Sequence, residues 1–334
     1  MPPLTVVMAA LLIGGALAAP PFFCAPAPQQ QAPYNFSTTL RLVDLHCSVR
    51  DPRGNAVLGL KKENFLVYEN EVPQTLRGFR QEDVPVAIGL VVDHSGSMFG
   101  KIQEVQAAAE TFVRSSNPED QMFVVNFNEC VSLGLPVGLP FTGEIGILKQ
   151  AIRNSPESGR SAIYDAVVEA LAHITSATYE KKVIIVVSDG GDNASRHSLA
   201  RLVEMAEESD VIIYSIGIFD RFDRDRNPAA LKLLARATGG EAFFPTELED
   251  VQGICARIAK DIRTQYSLSY VPRDSRADGT YRTIRVSVSA PHRGRLTVRT
   301  RAGYIAPSDD RPSPSRRPEG TYSGNSSAAA HPAP

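Results

Sequence analysis

The sequence predicts an α/β protein: a doubly wound, mostly parallel sheet inserted in a small β-sandwich formed by N- and C-terminal strands. Three observations lead there. Between Pro85 and about Lys260, short and nearly continuous β-branched runs recur at Val86–Val92, Met122–Phe127, Val183–Val187 and Val211–Ile218, as expected of strands covered on both faces. Helical patterns separate them, near Ile102–Ser115, Ala162–Thr175, Leu199–Ser209, Ala229–Ala237 and Leu248–Arg263. On either side the pattern is purely β, in segments too small to bury a core of their own.

In chain order, residues 1–19 read as a secretory signal. Leu4 to Ala19 is almost wholly apolar, carries no charge and ends in Ala16-Leu17-Ala18, a small-residue cleavage pattern. The run is short for a membrane span, so no transmembrane helix is expected after cleavage. No Lys or Arg precedes it, and the first basic residue is Arg41. Either the signal is atypical or the start is misplaced, and a Pro/Ala-rich extension is the alternative. Residues 20–35 form a Pro/Ala/Gln-rich lead-in.

The first part of the sandwich occupies residues 36–83. Thr39–Val49 has strand composition, Asp51-Pro52-Arg53-Gly54-Asn55 supplies a turn, and Phe65–Glu69 is a second strand. Asn70-Glu71 turns it towards Thr75–Phe79. The α/β domain covers 84–262, with Val131–Leu139 as an irregular edge strand and Glu241–Phe244 as a last edge strand after Gly239-Gly240. Residues 263–305 return to β at Tyr266–Val271, Tyr281–Ser289 and Arg295–Arg301, with turns at Asp278-Gly279 and His292-Arg293-Gly294. Neither β segment suffices alone, so the two are expected to share one sandwich. From 306 to 334 Pro, Ser, Arg, Gly and Ala dominate, the composition of a disordered tail.

Composition narrows the function. At 334 residues and 43% hydrophobic content the chain can bury a sizeable core, and a formal net charge of −2 gives no field that favours nucleic acid. There is no Trp, and no basic patch interleaved with aromatics. The four cysteines lack zinc spacing, and Cys47, Cys130 and Cys255 read as buried or solitary thiols in preference to bridges. Cys24 follows Phe22-Phe23, too bulky for lipoprotein processing. No phosphate-binding glycine loop, dinucleotide fingerprint or nucleophile elbow is present. Asp223-Arg224-Asp225-Arg226-Asn227 begins like a calcium loop, but Pro228 and Leu234 occupy its required Gly and Glu positions. Asn227-Pro228 reads instead as a helix cap and first turn.

The informative residues lie at strand ends. Asp93-His94-Ser95-Gly96-Ser97 follows the first strand run directly, placing one carboxylate and two hydroxyls on the loop beyond it. Hard divalent cations take such oxygens, and open α/β sheets bind ligands at the carboxyl ends of their strands. Ser158-Gly159-Arg160-Ser161 leads into the helix pattern at Ala162-Ile163-Tyr164-Asp165-Ala166, and Ser188-Asp189-Gly190 follows Val183–Val187. Helix capping by Ser95, Ser97 and Ser161 is the competing explanation, but it leaves the two aspartates unaccounted for. His94 reads as a solvated loop residue, Asp192 as a turn residue and Asp165 as a structural hydrogen-bond partner.

In this order the three stretches resemble the metal-ion-dependent adhesion site of von Willebrand factor A-type (VWA) domains, across roughly Val86 to Lys260. The resemblance implies a Rossmann-like VWA fold, with Asp93, Ser95, Ser97, Ser161 and Asp189 as ligands of Mg²⁺ or Mn²⁺. Ser161 departs from the family's usual Thr, keeping the hydroxyl without the methyl that stiffens the rotamer. Five donors, of which only two are carboxylates, leave a six-coordinate cation with an open position, which the family fills with an acidic group of a partner. The implied function is a protein-binding or adhesion module and not an enzyme, resembling the secreted VWA-related proteins of bacteria. The implied partner is an unknown protein or extracellular matrix component offering a carboxylate, and the location secreted or periplasmic. A metal-independent scaffold and a metal-dependent hydrolase are the alternatives.

Overall fold

The computed structural model describes residues 42–81, 83–219, 226–291 and 293–308. The expected signal, the lead-in, Cys24, nearly all of the tail, His292 and Asp223-Arg224-Asp225 lie outside the described residues. The chain opens with β1 (Val43–Arg50), β2 (Phe65–Glu69), β3 (Val72–Gln74) and β4 (Leu76–Arg80). The α/β part follows as β5 (Ala87–Asp93), α1 (Ile102–Ser115), β6 (Gln121–Phe127), β7 (Val131–Leu133), α2 (Ile145–Arg153) and α3 (Ile163–Ile174). It continues through β8 (Lys182–Ser188), α4 (Leu199–Glu208), β9 (Val211–Gly217), α5 (Pro228–Thr238), β10 (Ala242–Phe243) and α6 (Asp250–Thr264). Four strands close the described chain: β11 (Tyr266–Tyr270), β12 (Tyr281–Val288), β13 (Thr297–Arg299) and β14 (Gly303–Ile305).

The six-stranded sheet runs β10-β9-β8-β5-β6-β7, parallel except for β7, which pairs antiparallel with β6. All seven residues of β5 are buried, yet the alternation of a strand persists beneath that uniform burial. Ile88, Leu90 and Val92 join one core with α1, α2 and α6, while Ala87 and Val91 join the other with α3, α4 and α5. Because β6 and β7 extend one way from β5 while β8, β9 and β10 extend the other, the chain direction switches between β5 and β8. Ligand crevices of open α/β sheets form at such a point.

The remaining strands make two four-stranded sheets, β13-β1-β11-β4 and β14-β12-β2-β3, each mixing N- and C-terminal strands as expected. Between them lie Val43, Leu45, Cys47, Phe65, Val67, Tyr266, Leu268 and Tyr270. The Phe65 and Tyr266 rings are 5.0 Å apart. Asn70 and Glu71 both have positive φ (47° and 62°), which suits a two-residue hairpin, but the strand they turn into is β3. Leu76–Arg80 then crosses to pair with β11 in the other sheet. The C-terminal strands likewise form no meander, since β11 and β13 both pair with β1 while β12 pairs with β2 and β14. Crossing lets β1, β2, β4, β11 and β12 contribute to one core between the sheets.

Besides β3, two short elements had no counterpart in the sequence reading. Helix α2 has nine residues with Gly146 in its first turn, although Leu148, Ala151 and Ile152 give it a buried face at helical spacing. Strand β14 has only three residues. Asn227 caps α5 as expected, its side chain accepting from Ala230 N at 3.1 Å with Pro228 in the first turn. Cys47 and Cys255 are free and buried, and burial pushes both thiols up to about 12, while Cys130 is free and exposed. Among the described residues no helix is long and apolar enough to cross a membrane.

Lys181, just before β8, is 5% exposed and donates from Nζ to the carbonyl of Ile262 in the last turn of α6. Burial pulls its ammonium down to about 8, against the attraction of Asp261, Asp83 and Asp120. Between pH 8 and its ordinary value of 10.5 the unfolded chain keeps a proton that the folded chain has lost. The unfolded state therefore binds more protons there, and this group's contribution to stability rises with pH. Denaturant unfolding of the native chain and Lys181→Met should show their stability difference moving in the native chain's favour by about 3 kcal/mol across that window. A difference independent of pH would mean that the ammonium is solvated.

Candidate functional site

Asp93 is the last residue of β5 and Ser188 the last of β8, so the two sit side by side at the switch point. Asp93 is fully buried and its oxygens are occupied. Oδ1 accepts the backbone N–H of Ser95 at 2.8 Å, and Oδ2 accepts the hydroxyls of Ser188 at 2.5 Å and, loosely, Ser161 at 3.5 Å. Burial pushes the Asp93 carboxyl up to about 6, and the neighbouring Asp189 carboxylate adds to the rise, against the hydrogen bonds from Ser188 and Ser95. Two carboxylates have been drawn together in a place where water does not screen them, which favours a cation between them.

The other donors converge from three loops. Ser95 and Ser97 flank the turn after β5, with their hydroxyls 3.1 Å apart. The Ser97 hydroxyl donates to Asp189 Oδ2, while Asp189 Oδ1 accepts the N–H of Gly191 at 3.1 Å. Gly190 allows this turn: its φ is +79°, and a Cβ there would stand 2.9 Å from the carbonyl of Asn227. The loop before α3 is tied to its neighbours through Gly96 N to the Gly159 carbonyl (3.1 Å), Ser161 N to Asn193 Oδ1 (3.0 Å) and Asn193 N to the Ser161 carbonyl (3.0 Å). Ser95, Ser97, Ser161 and Asp189 line a cleft of about 180 Å³ with Arg160 and Asn193 on its rim.

All five residues nominated from sequence are thus brought together, Asp93 at the floor and the others on the walls. Capping does not explain the serines. Ser95 sits at the start of the short turn 96–98 without a side-chain cap, and α3 begins after Ala162 with no side-chain cap either. The donor set also fits a hard cation in chemistry and spacing. Neighbouring ligands of an octahedral Mg²⁺ are about 2.9 Å apart for bonds near 2.0–2.1 Å, close to the Ser95–Ser97 separation. Among the described residues no three His, Cys, Asp or Glu side chains gather as a metal cluster. Donors of the kind found here, two carboxylates and three hydroxyls, do not require one.

One expectation is overturned. His94 is not solvated: it is buried, its Nε2 lies 3.2 Å from Asn126 Oδ1, and burial holds its imidazole below the ordinary range. Its backbone carbonyl accepts from Ser158 N at 2.9 Å, so it links the first two loops from beneath. Asp165 is a structural acceptor as expected, taking the N–H groups of Arg196 and His197 (3.0 Å each) and His197 Nδ1 (2.7 Å). Asp192 accepts from the Ser195 hydroxyl at 2.6 Å and holds the loop after β8. Sequence reasoning missed Ser188 and Asn193. Ser188 stood in plain view in Ser188-Asp189-Gly190, while Asn193 belongs to no motif.

The family model described as von Willebrand factor type A domain matches residues 87–257. Similar solved structures include a von Willebrand factor type A protein from Catenulispora acidiphila, at 13% identity and TM-score 0.48, covering 82% of this chain and 76% of that one. The vWF domain of the type V pili tip protein Mfa5 from Porphyromonas gingivalis is similar at 16% identity and TM-score 0.45, covering 54% and 95%. Proximal thread matrix protein 1 from the mussel byssus, with zinc occupied MIDAS motif, is similar at 18% identity and TM-score 0.47, covering 58% and 49%. No curated protein matches the chain. VWA domains often mediate protein–protein interaction, and some carry a metal-ion-dependent adhesion site. With the family match spanning just over half of its length, and a six-stranded, helix-covered sheet beneath the cleft, this chain belongs to the von Willebrand factor type A domain family.

Proposed function

We propose that this chain is a metal-ion-dependent binding module that captures an acidic group of a partner protein or matrix component at the cleft above β5 and β8. The observation that carries this reading is the convergence of Asp93, Ser95, Ser97, Ser161 and Asp189 from three loops, with none of the three hydroxyls used as a helix cap. Mg²⁺ or Mn²⁺ is the cation suited to such oxygens. Ser95, Ser97 and Asp189 would hold it directly, with Ser161 beside them on the wall and Asp93 supporting them from the floor. The bound cation supplies a Lewis-acidic position for a carboxylate. Ser188 keeps Asp93 oriented, and the buried His94 and Asn126 hold the first loop. No residue is assigned a catalytic role. An exported location fits the apolar Leu4–Ala19 run.

Calorimetric titration of the whole chain with Mg²⁺ and with Mn²⁺ tests the reading. One site per chain is expected, together with a Tm that rises with metal concentration, because a ligand of the folded state stabilises it by mass action. Absence of both at millimolar metal would sink the proposal and leave a metal-independent scaffold as the better account.

A further inference from the structure

Among the described residues Arg160 is the one cationic side chain lining the cleft, beside its hydroxyls and the Asp189 carboxylate. It is exposed, and its guanidinium reaches across to the third loop, where Nη1 donates to the Asn193 carbonyl at 3.3 Å. Among the described residues it forms no ion pair. The nearby acids are engaged elsewhere. Glu129 Oε2 accepts the backbone N–H of Arg160 at 3.4 Å, and Glu157 Oε2 accepts that of Gly100 at 3.0 Å. A guanidinium beside a cation site weakens the cation's hold by repulsion, so its presence calls for an anion that both can share.

We infer that Arg160 is the second anchor of the captured carboxylate, taking one of its oxygens while the other faces the cation; the inference rests on the metal-site reading above. The charges are consistent. Asp93 and Asp189 neutralise a divalent cation, and Arg160 leaves the loaded cleft one positive charge in excess, which a single carboxylate cancels. The planar guanidinium fork matches a carboxylate in geometry as well as in sign. Phe99, two residues beyond Ser97 on the same loop, is 77% exposed and offers an apolar surface to the group that carries the carboxylate. The favoured ligand is therefore a side-chain or C-terminal carboxylate next to an apolar group, in preference to a neutral oxygen ligand.

Arg160→Met separates the two anchors, and because the side chain is exposed the fold should survive. Mn²⁺ affinity is measured by calorimetry, and acetate is then titrated into each Mn²⁺-loaded protein while the paramagnetic broadening of its methyl resonance is followed. The expected result is opposite in sign for the two ligands: Mn²⁺ binds as tightly or more tightly, and acetate about tenfold or more weakly, the loss of a charged hydrogen-bonded contact. Arg160→Lys should fall between, since it keeps the charge without the fork. Unchanged acetate affinity with Mn²⁺ still bound would overturn the role of Arg160 and leave the metal site standing. No Mn²⁺ binding by the native chain would overturn both.

Discussion

Asp261→Ala is expected to destabilise the protein by about 3–5 kcal/mol, the range for removing one partner from a buried ion-pair network. Asp261 lies on α6 with its side chain 5% exposed. Its oxygens accept the Tyr214 hydroxyl at 2.6 Å, the Ser48 hydroxyl at 3.1 Å, Arg50 Nη2 at 2.9 Å and Arg299 Nη2. Arg50 and Arg299 also meet Glu241, so the network joins β1 and β13 of the sandwich to β9, α6 and the segment before β10. Truncating Asp261 leaves two guanidiniums sharing one carboxylate, and strips an acceptor from a phenol that burial and Asp261 itself hold well above its ordinary range. Because the network bridges the sheets, the loss should also appear as decoupling: the native chain melts in one transition, and the variant in two or in a broadened one. A loss below about 1 kcal/mol with one sharp transition would show that apolar packing alone joins the sandwich to the α/β part.

That network was invisible in the sequence for a physical reason. Ser48 and Asp261 are 213 positions apart, and apart from Ser48 and Arg50, which share β1, each member is a single polar residue on a different element, with no local spacing to announce it. The cleft was legible because its donors come in short strings fixed to strand ends. Asp93, Ser95 and Ser97 span one turn, and Asp189 follows its strand directly, so the strand positions alone bring them together. His94 was misread from the same string: a loop histidine between polar residues is ordinarily wet, and only the packing of Asn126 from β6 shows that this one is enclosed. Buried strands β5, β6, β8 and β9 announce themselves through continuous β-branched runs. The sheet-crossing order of β3, β4, β11 and β12 does not, because local alternation is the same whichever sheet a strand joins.

Asp189→Ala should lower Mg²⁺ and Mn²⁺ affinity by about a hundredfold or more, since loss even of an outer partner of a ligand costs about 10–100-fold. Asp189 is the carboxylate best placed to hold the cation. Its Oδ2 meets the Ser97 hydroxyl on the cleft wall, whereas both oxygens of Asp93 are already engaged by Ser95, Ser188 and Ser161. The same change should cost the metal-free fold little, because the repulsion it relieves, which helps push Asp93 upward, offsets the loop contacts to Ser97 and Gly191 that it removes. Metal-free Tm and metal affinity should therefore separate, the first changing little while the second collapses. Ser161→Thr provides the counterpart: the hydroxyl stays and the added methyl restricts its rotamers, so affinity should hold or improve, and Ser161→Ala should weaken it. Calorimetry on the three variants decides the matter. If Asp189→Ala bound Mn²⁺ as tightly as the native chain, the cation would have to sit somewhere other than this cleft.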